Sequence, residues 1–240
     1  MGRMISPPVG LGLVAYEPLS GPQAAGASGS ESVNGFVQTV ASAYGAWRFA
    51  FTFPPLKGAM FRRYRGWISA LHGGANATRW TFLDPDRLSR EDAGASDGLY
   101  RLADGVKWSN GQRWAHNEPW RVSWPVVALS ASADLGATTI TLASTGFGHL
   151  LAGGDYLGFG PGYFGLHIVT EVLAAGSYRI WPPLRQALTT AHWATLEPTL
   201  ALRLESPSAA SAGRGNSFAE NLSATFIEVP DDIVRESFTE

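Results

Sequence analysis

The stretch WRFAFTFPPLKGAMFRRYRGWISALHGG, residues 47–74, decides the fold. From Trp47 to Phe53 a large aromatic residue stands at every second position, and Arg, Ala and Thr stand between them. Successive side chains of a β-strand point to opposite faces of the sheet. The period of two therefore predicts a strand with one buried, aromatic face and one face toward solvent.

The second part of this stretch predicts one amphipathic α-helix that packs on the aromatic face of the strand. Pro54 and Pro55 suit the first helical turn, where a missing N–H leaves no hydrogen bond unmade. The glycine pair 73–74 suits the end of the helix. The apolar residues that recur every three or four positions are Leu56, Met60, Tyr64, Trp67, Ile68 and Leu71. Such an apolar stripe is typical of a helix that lies on a core.

The composition of the whole chain favours β-structure and narrows the classes of function. The 240 residues include 28 Gly, 15 Pro, 9 Trp and 12 Phe, a combination of many turns and many large aromatics that is typical of all-β proteins. A net charge of −2 argues against general nucleic-acid binding. Cysteine is absent, which excludes disulfides and thiolate sites. The N-terminus lacks the apolar core of a signal peptide, and no window predicts a membrane span.

The remaining pattern divides the chain into a core and an insertion. Strands of the core are expected at residues 35–41, 78–83, 199–205 and 217–229. From residue 125 short apolar runs alternate with Gly and Ala turns, namely Val126–Leu129, Thr138–Leu142, Tyr156–Phe159, His167–Val172 and Tyr178–Trp181. We predict a mainly β fold, with a tube-like β-sandwich core domain and one flanking helix (1–124 plus 199–240). An inserted small β-barrel or sandwich module (125–198) completes it.

The residues that carry catalytic chemistry elsewhere form no recognisable catalytic pattern here. Asp84 and Asp86 flank a proline, and paired carboxylates can transfer protons or hold a hard cation. Asp and Pro at this spacing are nevertheless more typical of a turn. The histidines at 72, 116, 149, 167 and 192 lack metal-binding spacing. We therefore predict a protein that is not an enzyme and that needs no cofactor or metal.

The best candidate for binding is a group of four tryptophans, Trp108, Trp114, Trp120 and Trp124. Asn110-Gly111 lies between the first two and predicts a tight hairpin turn. Aromatic side chains pair across a hairpin, form the centre of subunit interfaces, or stack on sugar rings and bases. The sequence leaves these three interpretations open, in this order of preference.

Several short motifs, in this order, resemble the distal tail proteins of long non-contractile phages (siphophages) and of gene transfer agents. They are WRFAFTFPPL (47–56), MFRRYRGWISALHGG (60–74), FLDPD (82–86), WSNGQRW (108–114), LLAGGDYLGFG (150–160), LHIVTEV (166–172), WPPLR (181–185), LALRLESPS (200–208) and SATFIEV (223–229). Together they span most of residues 36–230, and as an ordered set they are moderately specific.

The resemblance implies a virion structural protein of the tail tip, made in the bacterial cytoplasm. It implies a homo-oligomer, a hexameric ring that joins the tail tube protein to the hub and fibre proteins of the baseplate. DNA would pass through the lumen of this ring. The core domain would build the tube-like part, the insertion would project outward, and no membrane insertion is expected.

Charged residues provide candidates for contacts between subunits of such a ring. Arg62, Arg63 and Arg65 lie off the apolar stripe of the predicted helix, and Asp231 and Asp232 begin the acidic C-terminal segment. The arginines are predicted to face either solvent or these acidic groups on a neighbouring subunit. The solvated face is the simpler interpretation.

Two other classes of function compete with the ring. The first is a carbohydrate-binding module for adsorption to a host surface, which would use the tryptophan group or the insertion. The second is a glycoside hydrolase that would use Asp84 with Asp86 or Glu91 as its carboxylate pair. The sequence favours the structural protein first and the hydrolase last.

Overall fold

A computed structural model describes residues 2–18, 45–89, 92–93, 126–214 and 218–239. The strands are β1 (Gly2–Ile5), β2 (Ala15–Pro18), β3 (Arg48–Thr52), β4 (Ala77–Thr81), β5 (Val126–Ala128), β6 (Thr139–Thr141), β7 (Tyr156–Gly160), β8 (His167–Ala174), β9 (Ser177–Trp181), β10 (Trp193–Thr195), β11 (Thr199–Leu204), β12 (Ala210–Arg214), β13 (Ala219–Glu228) and β14 (Phe238–Thr239). The α-helices among the described residues are α1 (Gly58–Ala70) and α2 (Asp231–Ser237). The predicted mainly β fold with a flanking helix is confirmed.

The first sheet joins strands from both ends of the chain, and we call it the core sheet. Its order is β14-β1-β4-β11-β13-β3-β2, and β12 pairs with β13 beside this path. β1 runs parallel to both of its neighbours, whereas the other pairs are antiparallel. The predicted strand at 35–41 lies outside the described residues.

The aromatic strand and the helix pack as their patterns predict. Trp47, Phe49, Phe51 and Phe53 are all buried in one core. The indole of Trp67 on α1 stacks on Phe226 of β13 with 5.8 Å between ring centroids. Each such fully buried large side chain stabilises the fold by roughly 1.5–3 kcal/mol relative to its exposed state. This burial holds α1 on the core sheet.

The helix begins later than its two prolines predict. Leu56 forms an antiparallel bridge to Ala219, with N–O distances of 3.0 and 2.9 Å, so the chain stays extended through Pro54 and Pro55. α1 then starts at Gly58. The backbone of Leu56 thus extends the pairing of β13 instead of entering a helical turn.

The second sheet consists of strands from residues 126–195 alone, and we call the described residues 126–198 the insert. Its order is β5-β10-β7-β8-β9-β6. Leu157, Val169, Tyr178 and Ile180 are among the residues of its separate apolar core. Thr81 of β4 pairs with Thr199 of β11, so the chain leaves and rejoins the core sheet at adjacent positions.

Several short elements of the structure carry no clear sequence signal. They are β1, β2, β10, β12, β14 and the helix α2. In the part of the chain that the structure describes, no helix is long and apolar enough to cross a membrane.

Candidate functional site

The four candidate tryptophans, Trp108, Trp114, Trp120 and Trp124, lie outside the described residues. The predicted Asn110-Gly111 hairpin lies there as well. Their three interpretations therefore stay predictions.

The three candidate arginines, Arg62, Arg63 and Arg65, are exposed on α1. The opposite face of the helix buries Tyr64 and Trp67. A cationic face directed away from the core can meet solvent or an acidic partner, as the helical pattern predicts.

The two candidate aspartates, at the start of α2, have opposite environments. Asp232 is exposed, whereas Asp231 is fully buried. The Asp231 carboxylate accepts a hydrogen bond from the Phe164 N–H at 2.9 Å and forms an ion pair with Arg235. Because its partners belong to the same chain, we leave Asp231 out of the proposed contacts between subunits.

The carboxylate pair considered for acid–base chemistry forms a turn. Oδ1 of Asp84 accepts a hydrogen bond from the Asp86 N–H at 3.0 Å, which is the geometry of an Asx turn. Glu91, the third carboxylate of that hypothesis, lies outside the described residues. Among the described residues, no group of three His, Asp or Glu side chains is arranged to hold a metal ion.

The polar side chains that the structure does bring together lie at the junction of the core sheet and the insert. Glu228, at the end of β13, is buried, and its two oxygens accept hydrogen bonds from the backbone N–H groups of Trp47 and Leu166, each at 3.2 Å. The indole N–H of Trp47 in turn donates to the Leu166 carbonyl at 2.7 Å. One carboxylate therefore binds the start of β3 to the insert.

This environment changes the acidity of Glu228. Burial raises the pKa of the Glu228 carboxyl to about 7, although the two N–H donors and the nearby Arg185 favour its ionised form. The free energy needed to remove the carboxylate from water exceeds the stabilisation that these partners provide. Near neutral pH the carboxyl is thus close to the midpoint of its titration.

A second buried chain of hydrogen bonds lies beside Glu228 within the insert. Nδ1 of His167 lies 2.7 Å from the Pro182 carbonyl and so carries its proton toward that oxygen, which leaves Nε2 to accept the hydroxyl of Tyr163 at 2.9 Å. The Tyr163 oxygen accepts the Arg185 N–H at 3.1 Å. Burial lowers the pKa of His167 to about 4. The imidazole is therefore neutral and structural at neutral pH.

A cleft of about 380 Å³ opens at the same junction. Arg79 of β4 and Thr199 of β11 contribute its core side, and the insert contributes Phe164, Trp193, Thr195 and Glu197. The Arg79 guanidinium lies over the Phe164 ring, 5.3 Å from its centroid. Side chains of both regions meet in this cleft.

Sequence reasoning missed the junction, although one signal pointed to it. Glu228 follows Ala224 and Phe226 at every second position, so a strand that buries those two residues also buries the carboxylate. A buried carboxylate requires partners. Those partners, however, come from residues distant in the chain, which the alternation does not identify.

Comparison with known proteins adds no assignment to this geometry. No protein-family model matches the chain, and no curated protein matches it.

Proposed function

We propose that the protein is a structural component of a virion tail tip, which forms a ring between the tail tube and the hub of the baseplate. It acts through assembly and geometry and catalyses no reaction. The proposal starts from the resemblance of the ordered motifs to distal tail proteins. DNA would pass through the lumen of this ring, and we expect the ring to contain six subunits.

The observation that carries the proposal is that, among the described residues, the core sheet has two different edges. In the described path β14 ends one side and β2 ends the other. Edge strands present unpaired N–H and C=O groups that can pair with another chain. Because the two edges differ, copies related by rotation can join one edge to the other and close a ring.

Exposed apolar side chains lie near both edges. Val9 and Val14, which precede β2, are 89% and 66% exposed, and Ile233 on α2, close before β14, is 43% exposed. Large apolar side chains gain most from a contact that removes them from water. These residues support a subunit contact that extends beyond the strands.

The charges on the two helices are complementary. Arg62 and Arg63 lie in the first half of α1, where Met60 approaches Gly10 ahead of β2. Asp232 is exposed on α2, next to β14. A contact between opposite edges that brings Arg62 and Arg63 of one subunit toward Asp232 of the next would place opposite charges together, which favours the correct pairing.

Native mass spectrometry of the purified chain over a range of concentrations tests the proposal. We expect a hexamer, or a ladder of masses that reaches six subunits. The double variant R62E/R63E should shift this ladder toward the monomer, because it places like charges together. R203E, which reverses an exposed charge on β11 inside the sheet, is the matched control and should leave the ladder unchanged. A strict monomer at every concentration contradicts self-assembly of the chain.

A further inference from the structure

Three consecutive residues of the insert, 164–166, are hydrogen-bonded through their backbone to the core sheet and to α2, and we call them the docking segment. Their partners are Asp231 for the Phe164 N–H (2.9 Å), the Thr199 carbonyl for the Gly165 N–H (3.2 Å), Glu228 for the Leu166 N–H (3.2 Å) and the Trp47 indole N–H for the Leu166 carbonyl (2.7 Å). Two of these partners are carboxylates from neighbouring positions in the chain. The contact between the insert and the core sheet therefore depends in part on acidic side chains.

The residues on both sides of the docking segment are bound within the insert instead. The Tyr163 hydroxyl lies 2.9 Å from Nε2 of His167, and its oxygen accepts the Arg185 N–H at 3.1 Å. Gly162, just before Tyr163, has a φ of 71°, and an added Cβ there would meet no atom within 4 Å. Glycine leaves the backbone free to rotate at this position and again at Gly165. The docking segment can therefore separate from the core sheet while its two flanks stay in the insert.

The groups of the insert and of α2 that face Glu228 keep their charge near neutral pH. Arg185 is cationic and favours the ionised form of Glu228. Burial raises the pKa of Tyr163, and the nearby Asp231 and Glu228 raise it further, so its hydroxyl stays protonated. Burial lowers the pKa of His167 to about 4, so its imidazole stays neutral. Asp231 is engaged in an ion pair within α2.

The charged residues of the two neighbouring strands point away from Glu228. Arg48 of β3 and Arg203 of β11 both lie across from Ile227, the residue before Glu228. Side chains at successive positions of a strand lie on opposite faces, so both arginines lie on the other face of the core sheet. Glu228 is thus the group beside the docking segment whose charge changes near neutral pH.

We propose that the docking segment is a proton-controlled contact: it binds the core sheet while Glu228 is protonated and separates more often once Glu228 is ionised. Tyr163 and Phe164 also line the junction cleft, so separation on this side gives water access to the carboxyl. Water stabilises the ionised carboxylate far more than the neutral acid. The contact lies within one chain, so this proposal does not depend on the ring.

The direction of the effect follows from the pKa of Glu228. Burial raises this pKa from 4.5 to about 7 while the segment is bound. Binding of the segment is therefore most favourable below pH 4.5, and it weakens as pH rises toward about 7, above which it changes little.

Hydrogen exchange of the full chain, measured by mass spectrometry with single-amide resolution at pH 5, 6, 7 and 8, tests the proposal. The observed rates are divided into the intrinsic exchange rates at each pH. We expect the protection of the amides at 164–166 to fall on the order of 100-fold from pH 5 to pH 8, mostly below pH 7. In up to about 1 M urea their protection should stay constant, because local separation exposes little surface, whereas that of the best-protected β8 and β9 amides should fall.

Glu228→Gln removes the titrating group and should make the protection of the docking segment independent of pH. Glu220→Gln, at an exposed position of the same strand, is the matched control and should keep the pH dependence of the unmodified chain. The proposal is overturned if the segment amides share the protection and urea dependence of the β8 and β9 amides, because the segment would then separate only on global unfolding. Protection that is independent of pH in the unmodified chain, or that still falls with pH in Glu228→Gln, overturns it as well. The comparisons within the unmodified chain decide the question even if Glu228→Gln fails to fold.

Discussion

Glu228 shows how one residue can serve two regions of the chain. Its position in β13 directs the side chain into the core, where a carboxylate is costly to bury. The structure uses both of its oxygens, one for the Trp47 N–H and one for the Leu166 N–H. Without the carboxylate, two buried N–H groups would lack this acceptor, which also costs free energy. The Glu228 carboxylate thus satisfies two buried N–H groups, although its negative charge is costly to bury.

The stability of the protein should depend on the ionisation of Glu228. Its pKa rises from 4.5 in the unfolded chain to about 7 in the folded chain, so the folded state holds the proton more tightly. The free energy of unfolding therefore falls as pH rises from about 4.5 to 7, by on the order of 3 kcal/mol. Glu228→Gln removes this loss. We expect urea denaturation from pH 4 to 8 to show that the free energy of unfolding of the variant increases, relative to that of the unmodified chain, as pH rises.

His167 gives the same experiment an internal reference. Burial lowers the pKa of His167 from 6.5 to about 4, so its contribution to stability is lost as pH falls through this range. In the Glu228→Gln variant, the loss of stability at low pH that His167 causes should remain, and it should be easier to detect because Glu228 no longer opposes it. Glu220→Gln changes an exposed residue of the same strand and should track the unmodified chain at every pH. Parallel curves for all three proteins would show that Glu228 does not titrate in this range.

At the residue scale, the sequence contains the burial of Glu228 but not the identity of its partners. The alternation of Phe226 with Glu228 identifies a carboxylate on a buried face. Its partner Leu166 is 62 positions away, and Trp47 is 181 positions away. Contacts over such separations depend on the packing of the insert against the core sheet, which a periodic pattern does not contain.

At the scale of elements, the long patterns predicted the structure well and the short ones did not. β3 and most of the apolar face of α1 follow from the periodicity of residues 47–74, although the predicted stripe omitted the buried Phe61 and included Leu56, which lies before the helix. The start of α1 was predicted too early, because the two prolines also suit the extended bridge at Leu56. β10 has three residues, too few to show a period. β1 and β14 form through parallel pairing of distant segments.

Two glycines of the helix region, Gly66 and Gly74, should respond oppositely to substitution by alanine. Gly74 has a φ of 101°, and a Cβ there would lie 2.5 Å from the Leu204 carbonyl oxygen. Gly74→Ala should lower the free energy of unfolding by more than about 1 kcal/mol. Gly66 lies within α1, where an added Cβ would meet no atom within 4 Å, so Gly66→Ala should raise the free energy of unfolding by up to about 1 kcal/mol.

Urea denaturation of both variants at one pH gives the comparison. The two substitutions add the same methyl group to the same segment of chain, so Gly66→Ala controls for the change in the unfolded state. Equal effects of the two substitutions would mean that the backbone at residue 74 relaxes away from Leu204.

At the scale of the whole molecule, the insert is joined to the core sheet by apolar and polar contacts together. Leu166 is buried among the aromatic residues of the core, and Tyr156 packs edge-on against Trp47 and Phe82 at 5.8 and 5.1 Å. The guanidinium of Arg185 donates to the Gly45 carbonyl at 2.8 Å. Units that share buried contacts of this kind stabilise each other, whereas units joined by a polar surface alone move independently.

The two sheets should therefore unfold as one cooperative unit. Hydrogen exchange measured by mass spectrometry can follow peptides from β8–β9 and from β11–β13 separately. We expect the best-protected amides of both peptides to share one free energy of opening and one dependence on denaturant. Different values for the two sheets would indicate two separate units.

Leu166→Ala makes this test sharper, because the side chain extends from the insert into the core of the other sheet. Loss of a buried leucine should lower the free energy of opening by about 2–5 kcal/mol. If the regions are coupled, protection falls by the same amount in β8–β9 and in β11–β13, although the substitution lies in the insert alone. Val172→Ala, which truncates a side chain of β8 that is 47% exposed, should change neither peptide appreciably. A loss of protection confined to β8–β9 would mean that the insert opens while the core sheet stays closed, and the junction would then be a hinge.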